Sequence, residues 1–155
     1  MVVISDTSPM TALLLAGRGE LLTMLFDRVV IPPAVETELR CAHETLPVWL
    51  EVIAPKMIPS TVLEAGLDAG ETEAIALALE LLPDALLMDE RLGRRLAQRH
   101  GLQVTGLLGL LLLAKNSGLI STVVPLIREL QDKGNCWFGH QLLTEVCAAS
   151  GEVWP

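Results

Sequence analysis

Short apolar runs that do not alternate with polar residues, each set between helix-length stretches, constrain this chain more than any other feature. They are Val2 to Ser5, Val29 to Ile31 and Ala85 to Met88. A strand with one face in water alternates apolar and polar residues. A strand that is apolar or small throughout is buried on both faces, as in a parallel sheet covered by helices. Helical patterns fill the intervals. They run over Pro9–Ala16 and Glu20–Phe26, split by Gly17-Arg18-Gly19, then from Pro33 to about His43, from Gly70 to about Leu82, and over Arg91–His100. Glu51–Ala54 reads as a short edge strand and Leu102–Thr105 as the last strand. Helices at about 107–116, 122–132 and 139–149 follow, broken at Gly118 and at Lys133-Gly134-Asn135. The expectation is one three-layer α/β/α domain over residues 1–155, with C-terminal helices over 133–150. Ligands of such sheets bind beyond the carboxyl ends of the strands, where strand order reverses.

Composition narrows the function classes. The longest apolar stretch, Leu107 to Ala114, is too short to cross a bilayer. No basic segment precedes an early apolar run, and the widely spaced Cys41, Cys136 and Cys147 suit neither a zinc site nor a disulfide framework. A reducing cytoplasm is the expected compartment. A net charge of -8 argues against a protein that grips nucleic acid by bulk electrostatics. It is compatible with an enzyme that gathers carboxylates around a divalent metal.

Two aspartates fall at the expected edge. Asp6 follows the first strand and Asp89 follows ALLM. Either alone serves as a turn or helix-capping residue, but two at equivalent strand ends point to a shared crevice. In IPPAVETELR, Val35 and Leu39 form the inward pair and Glu36 can pair with Arg40, whereas Glu38 has no such partner. In LDAGETEAIALALE, Glu71 continues the buried stripe of Ala74, Ile75 and Ala78, and Glu73 faces a more exposed side. As a first-turn glutamate Glu71 also suits the helix dipole. Four converging carboxylates repel and raise one another's pKa unless a cation lies among them. Oxygen ligands without His or Cys select Mg²⁺ or Mn²⁺, ions suited to phosphodiester hydrolysis. Thr7 and Ser8 would orient a carboxylate or hold a phosphate oxygen, or cap the following helix.

SDTSPMTALLLAG, VVIPPAVETELR and LDAGETEAIALALELLPDALLMDERLGRRLAQRHGLQVTG, in this order and at these intervals, resemble a PIN domain over roughly residues 2–132. Within that superfamily the chain is most similar to a prokaryotic subgroup related to VapC-type toxins. The resemblance implies strand order 3-2-1-4-5, a Mg²⁺- or Mn²⁺-dependent ribonuclease and a homodimer or higher homo-oligomer. It also implies a toxin that an antitoxin protein holds inactive. Asp6, Glu38 and Asp89 match the metal-binding acids, Glu71 a member or neighbour of the cluster, and Ser8 the small hydroxyl residue. One departure stands out. The place after the fifth strand, where many members carry another acid, reads Val104-Thr105-Gly106. Thr105 would offer only a hydroxyl there. Glu90 reads as a first-turn helix glutamate.

Arg91, Arg94 and Arg95 lie at helical spacing and would hold an RNA backbone at the crevice. Aromatic residues are few and scattered, so no base-stacking platform is evident. The leading expectation is a metal-dependent endoribonuclease, the toxin half of a toxin–antitoxin pair. The alternative is a catalytically weak PIN-like module that binds nucleic acid or protein. A phosphoacceptor domain is disfavoured, because it needs an Asp after the third strand and a Lys after the fifth.

Overall fold

In a computed structural model describing residues 1–155, five parallel strands form one sheet in the order β3-β2-β1-β4-β5. The strands are β1 (Val2–Ser5), β2 (Arg28–Ile31), β3 (Leu50–Val52), β4 (Ala85–Leu87) and β5 (Val104–Thr105). The helices are α1 (Thr7–Leu15), α2 (Glu20–Leu25), α3 (Pro33–Ala42), α4 (Ser60–Leu63), α5 (Ala69–Leu81), α6 (Arg91–Arg99), α7 (Leu107–Asn116), α8 (Val124–Asp132) and α9 (His140–Ser150). The architecture is the one expected from the pattern of strands and helices, and the strand order is the one the resemblance implies. No helix is long and apolar enough to cross a membrane.

The lack of alternation in the strands has the predicted cause. Val3, Val29, Ile31 and Leu87 pack into a core of 26 buried residues on one face, with side chains of α1–α3 and α7–α9. Ile4, Val30, Leu86 and Met88 pack into a core of 11 on the other, with α4–α6. The C-terminal helices therefore cover a sheet face, through Ile127, Leu130, Leu143 and Val146.

Three differences from the sequence reading have local reasons. The four-residue α4 is too short to show a helical period. The fifth strand begins at Val104 because Leu102 belongs to the end of α6. Gly101 takes a left-handed φ of 80°, and the amides of Gly101 and Leu102 return to Gln98 O and Ala97 O, closing a Schellman turn. Glu73, expected on an exposed face, is half-buried and accepts a hydrogen bond from Ala34 N at 3.1 Å, capping α3 and tying it to α5. The expected Glu36–Arg40 ion pair forms at 3.2 Å.

The far end of the chain is fastened by Glu152. Its carboxylate accepts from Lys115 Nζ at 2.8 Å, Val123 N at 2.9 Å, Val124 N at 3.2 Å and Ser150 Oγ at 2.9 Å. Burial alone would raise this carboxyl, but these donors outweigh it and hold it at about 2, below its ordinary 4.5. The unfolded chain therefore binds the proton first, so the stabilisation is complete above about pH 5 and fades as pH falls towards 2. Glu152→Ala is expected to cost about 3 kcal/mol at neutral pH, since it leaves Lys115 and two amides without their acceptor. Chemical denaturation at pH 7 and pH 3 measures it, the gap between variant and wild type narrowing at pH 3.

Candidate active site at the carboxyl edge of the sheet

Strand register builds the site. Ser5 pairs with Leu87, and Leu87 with Thr105. Asp6 N then donates to Leu87 O at 2.9 Å, and Met88 N to Thr105 O at 2.9 Å. The chain leaves β1, β4 and β5 at one level, which brings Asp6, Asp89 and Gly106 to the same edge at the switch in strand order.

The acids at this edge divide into two groups. In the first, Asp6 is 3% exposed and meets Glu38 of α3 across Gly70 of α5. A Cβ placed on Gly70 would lie 2.9 Å from Glu38 Oε1, 3.2 Å from Thr7 Oγ1 and 3.3 Å from Asp6 Oδ1. Three oxygens thus converge on one point, which is open because residue 70 has no side chain. The Thr7 hydroxyl is buried there without a hydrogen-bond partner. Glu71, 6% exposed, extends the group. Its amide donates to Asp68 Oδ1 at 2.8 Å, so Asp68 caps α5 in an Asp-x-x-Glu capping arrangement. The Glu71 carboxylate runs beneath α6, where a Cβ on Gly93 would stand 2.6 Å from Oε2.

Asp89 anchors the second group. Its Oδ1 accepts from Leu107 N at 3.2 Å and so caps α7. A Cβ on Gly106 would lie 2.7 Å from both Asp89 Oδ1 and Arg94 Nη1. Arg94 Nη1 also donates to Met88 O at 3.0 Å, the last carbonyl before Asp89. Arg91, Arg94, Arg95 and Thr105 line a cavity of about 550 Å³ together with Asp89. The Thr105 hydroxyl points along α7, 2.7 Å from where a Gly109 Cβ would be. Ser8 is exposed and lines a neighbouring cavity with Asp89 and Glu90.

The electrostatics follow this division. Burial pushes Asp6 up to about 7, with the Thr7 amide opposing and the charges of Asp68, Glu38 and Glu90 adding. Burial, together with the adjoining Asp68 carboxyl and the charge of Asp6, pushes Glu71 up to about 8. Asp89 is also raised, first by desolvation, while Leu107 N and Arg94 pull it down. Glu90 bears on both Asp6 and Asp89. The sequence reading singled out Asp89 and took Glu90, which stands at the N-cap of α6, for a first-turn helix glutamate, but it passed over Asp68. The signal for Asp68 was present in the capping pattern Asp68-x-x-Glu71, three residues before a glutamate already under suspicion.

This donor set suits a hard divalent cation. All the converging atoms are oxygens, one of them is a hydroxyl left without a partner, and the space above Gly70 is one that a Cβ would fill. No three of the carboxylates are gathered at metal-holding distance; Asp6, Glu38 and Thr7 are the groups whose oxygens face the same small space beside Gly70.

Without a cation, Asp6 and Glu71 hold protons in the folded protein that the unfolded chain releases near its ordinary 3.8 and 4.5. The folded state thus binds more protons between about pH 4 and 8, and stability falls as pH rises through that window. Melting temperature is expected to drop from pH 5 to pH 8 in chelator. Mn²⁺ should restore more at pH 8, where it competes with fewer protons. A flat profile in chelator would contradict the burial of these two acids.

A family model described as a PIN domain matches residues 2–152. No curated protein matches the chain.

Proposed function

The chain belongs to the PIN-domain family, and from that premise we propose that it is a Mg²⁺- or Mn²⁺-dependent ribonuclease that hydrolyses RNA phosphodiesters. The observation that carries this reading is the meeting of Asp6 Oδ1, Glu38 Oε1 and the unpartnered Thr7 Oγ1 above Gly70.

Asp6 and Glu38 hold the cation, and Glu71 and Asp68 add negative charge behind them. When bound, the ion supplies a Lewis acid for the phosphoryl oxygens and lowers the pKa of an attacking water. Thr7 orients the carboxylates or donates to a phosphate oxygen. Asp89 keeps its cap on α7 and fixes the helix beside the crevice. It joins the metal ligands if its carboxylate swings away from Leu107 N. Arg91, Arg94 and Arg95 hold phosphates on either side of the scissile bond. As a cellular role we propose the toxin of a toxin–antitoxin pair, acting in the cytoplasm as a homodimer or larger homo-oligomer and restrained by an antitoxin protein.

A second reading, a PIN-like binding module with little catalysis, is favoured by one observation. Asp89 is engaged by Leu107 N and Arg94, and no acid follows β5. Calorimetric titration with Mn²⁺, run beside cleavage of a structured RNA, separates the two. Binding with cleavage supports the ribonuclease, and no binding at millimolar Mn²⁺ supports the module.

A further inference from the structure

We infer that Trp137, beside Phe138, is a stacking platform for an unpaired base of the RNA on which the proposed ribonuclease acts. No platform is legible in the sequence, where aromatic residues are few and Trp137 is remote from every acid of the site. The fold brings it there. Trp137 is 86% exposed, and with Phe138 it borders a cavity of about 780 Å³ that Ser8, Asp89, Glu90 and Arg91 also line. Phe138 also borders the cavity that contains Arg91, Arg94 and Arg95. Phe138 thus borders both cavities, as do Asp89 and Arg91, while Trp137 borders the one that holds Ser8 and Glu90.

The loop that carries it is fixed to the site. Gly134 is buried so closely that a Cβ would lie 2.7 Å from Leu130 O and 3.0 Å from Ala12 O, the latter on the helix that begins with Thr7 and Ser8. Cys136 N donates to Leu130 O at 3.1 Å, and Asn135 turns the chain with a φ of 55°. A large indole held in water on an anchored loop contributes little to folding, yet it offers a π-face at low entropic cost.

The occupant follows from charge. Arg91, with Arg94 and Arg95 in the adjoining cavity that Phe138 also borders, calls for an anionic ligand, and an indole calls for a flat one. A nucleotide with a free base satisfies both, whereas a duplex hides both faces of each base. An acidic peptide would satisfy the arginines alone.

The inference rests on the ribonuclease reading, and one experiment separates their failures. An unpaired RNA oligonucleotide of about ten residues and the corresponding blunt duplex are titrated by anisotropy in chelator, against wild type, Trp137→Ala and Trp137→Phe. Intrinsic tryptophan fluorescence, light scattering and cleavage in Mn²⁺ are followed on the same samples. Wild type should prefer the unpaired strand and lose tryptophan emission on binding. Trp137→Ala should bind about 10- to 100-fold more weakly, and Trp137→Phe should keep most of the affinity without the quenching. Equal affinity of Trp137→Ala and wild type, or a preference for the duplex, overturns the platform and leaves the ribonuclease standing if cleavage persists. Unpaired RNA held through Trp137 but never cleaved keeps the platform and removes the ribonuclease. A Trp137→Ala protein that changes only its oligomeric state shows that the indole is a protein contact and overturns the inference. No RNA binding by wild type overturns it as well.

Discussion

Asp6→Asn is expected to lower metal-dependent RNA cleavage by about three orders of magnitude, roughly 4 kcal/mol of transition-state stabilisation. The substitution keeps the shape of a side chain that is 3% exposed and keeps the backbone bond from residue 6 to Leu87 O. What it removes is the charge. An amide oxygen is a weaker ligand for a hard cation than a carboxylate, and Glu38 with the Thr7 hydroxyl would remain as the only other converging oxygens. The same change should act in the opposite direction on the metal-free protein. Burial opposes the Asp6 charge, pushing its carboxyl to about 7, and the unfolded chain bears no such cost. Asparagine abolishes that opposition, so above neutrality the variant should melt no lower than wild type in chelator. With Mn²⁺ present the order should reverse, because only wild type gains from binding. Melting curves at pH 8 with and without Mn²⁺, beside a cleavage assay, give both signs from one preparation. An unchanged cleavage rate would sink the assignment of Asp6 as a metal ligand.

The fold could be read from the sequence because its strands carry their burial in their composition. Val29-Val30-Ile31 shows no polar face, and Pro32-Pro33 ends it where α3 begins. The weaker elements were less legible. β3 lies at the sheet edge and has no fully buried residue, and Leu102 passes for a strand residue although a glycine-closed helix end holds it. At the site, periodicity found the residues and not their directions. Asp89 and Glu90 are adjacent, and nothing in their order says that Asp89 turns to the amide of Leu107 while the charge of Glu90 reaches Asp6. Asp68 was hidden by its ordinary role as a helix cap. Gly70, Gly93 and Gly106 were overlooked because a missing side chain shows as a signal only once the carboxylates around it are in place.

That last point leads to the most discriminating variant, Gly70→Ala. Gly70 lies in the first turn of α5, and its φ is not left-handed, so alanine fits the backbone and should favour the helix by roughly 0.5–1 kcal/mol. The added methyl would sit 2.9 Å from Glu38 Oε1, closer than a carbon and an oxygen tolerate. Glu38 is half-buried at the end of a flexible side chain, so it can move aside at little cost to folding. Moving aside is what the site cannot accept, because it separates Glu38 from Asp6 and Thr7 and puts carbon where their oxygens meet. The variant is therefore expected to match or exceed the thermal stability of wild type in chelator. It should bind Mn²⁺ at least tenfold more weakly and cleave RNA about a hundredfold more slowly, roughly 3 kcal/mol. Ordinary destabilisation would lower the melting temperature together with the activity, and here the two part. If Gly70→Ala kept the Mn²⁺ affinity of wild type, Glu38, Asp6 and Thr7 would not be the oxygens that hold the cation, and the ligands would have to be sought among Glu71, Glu90 and Asp89 instead.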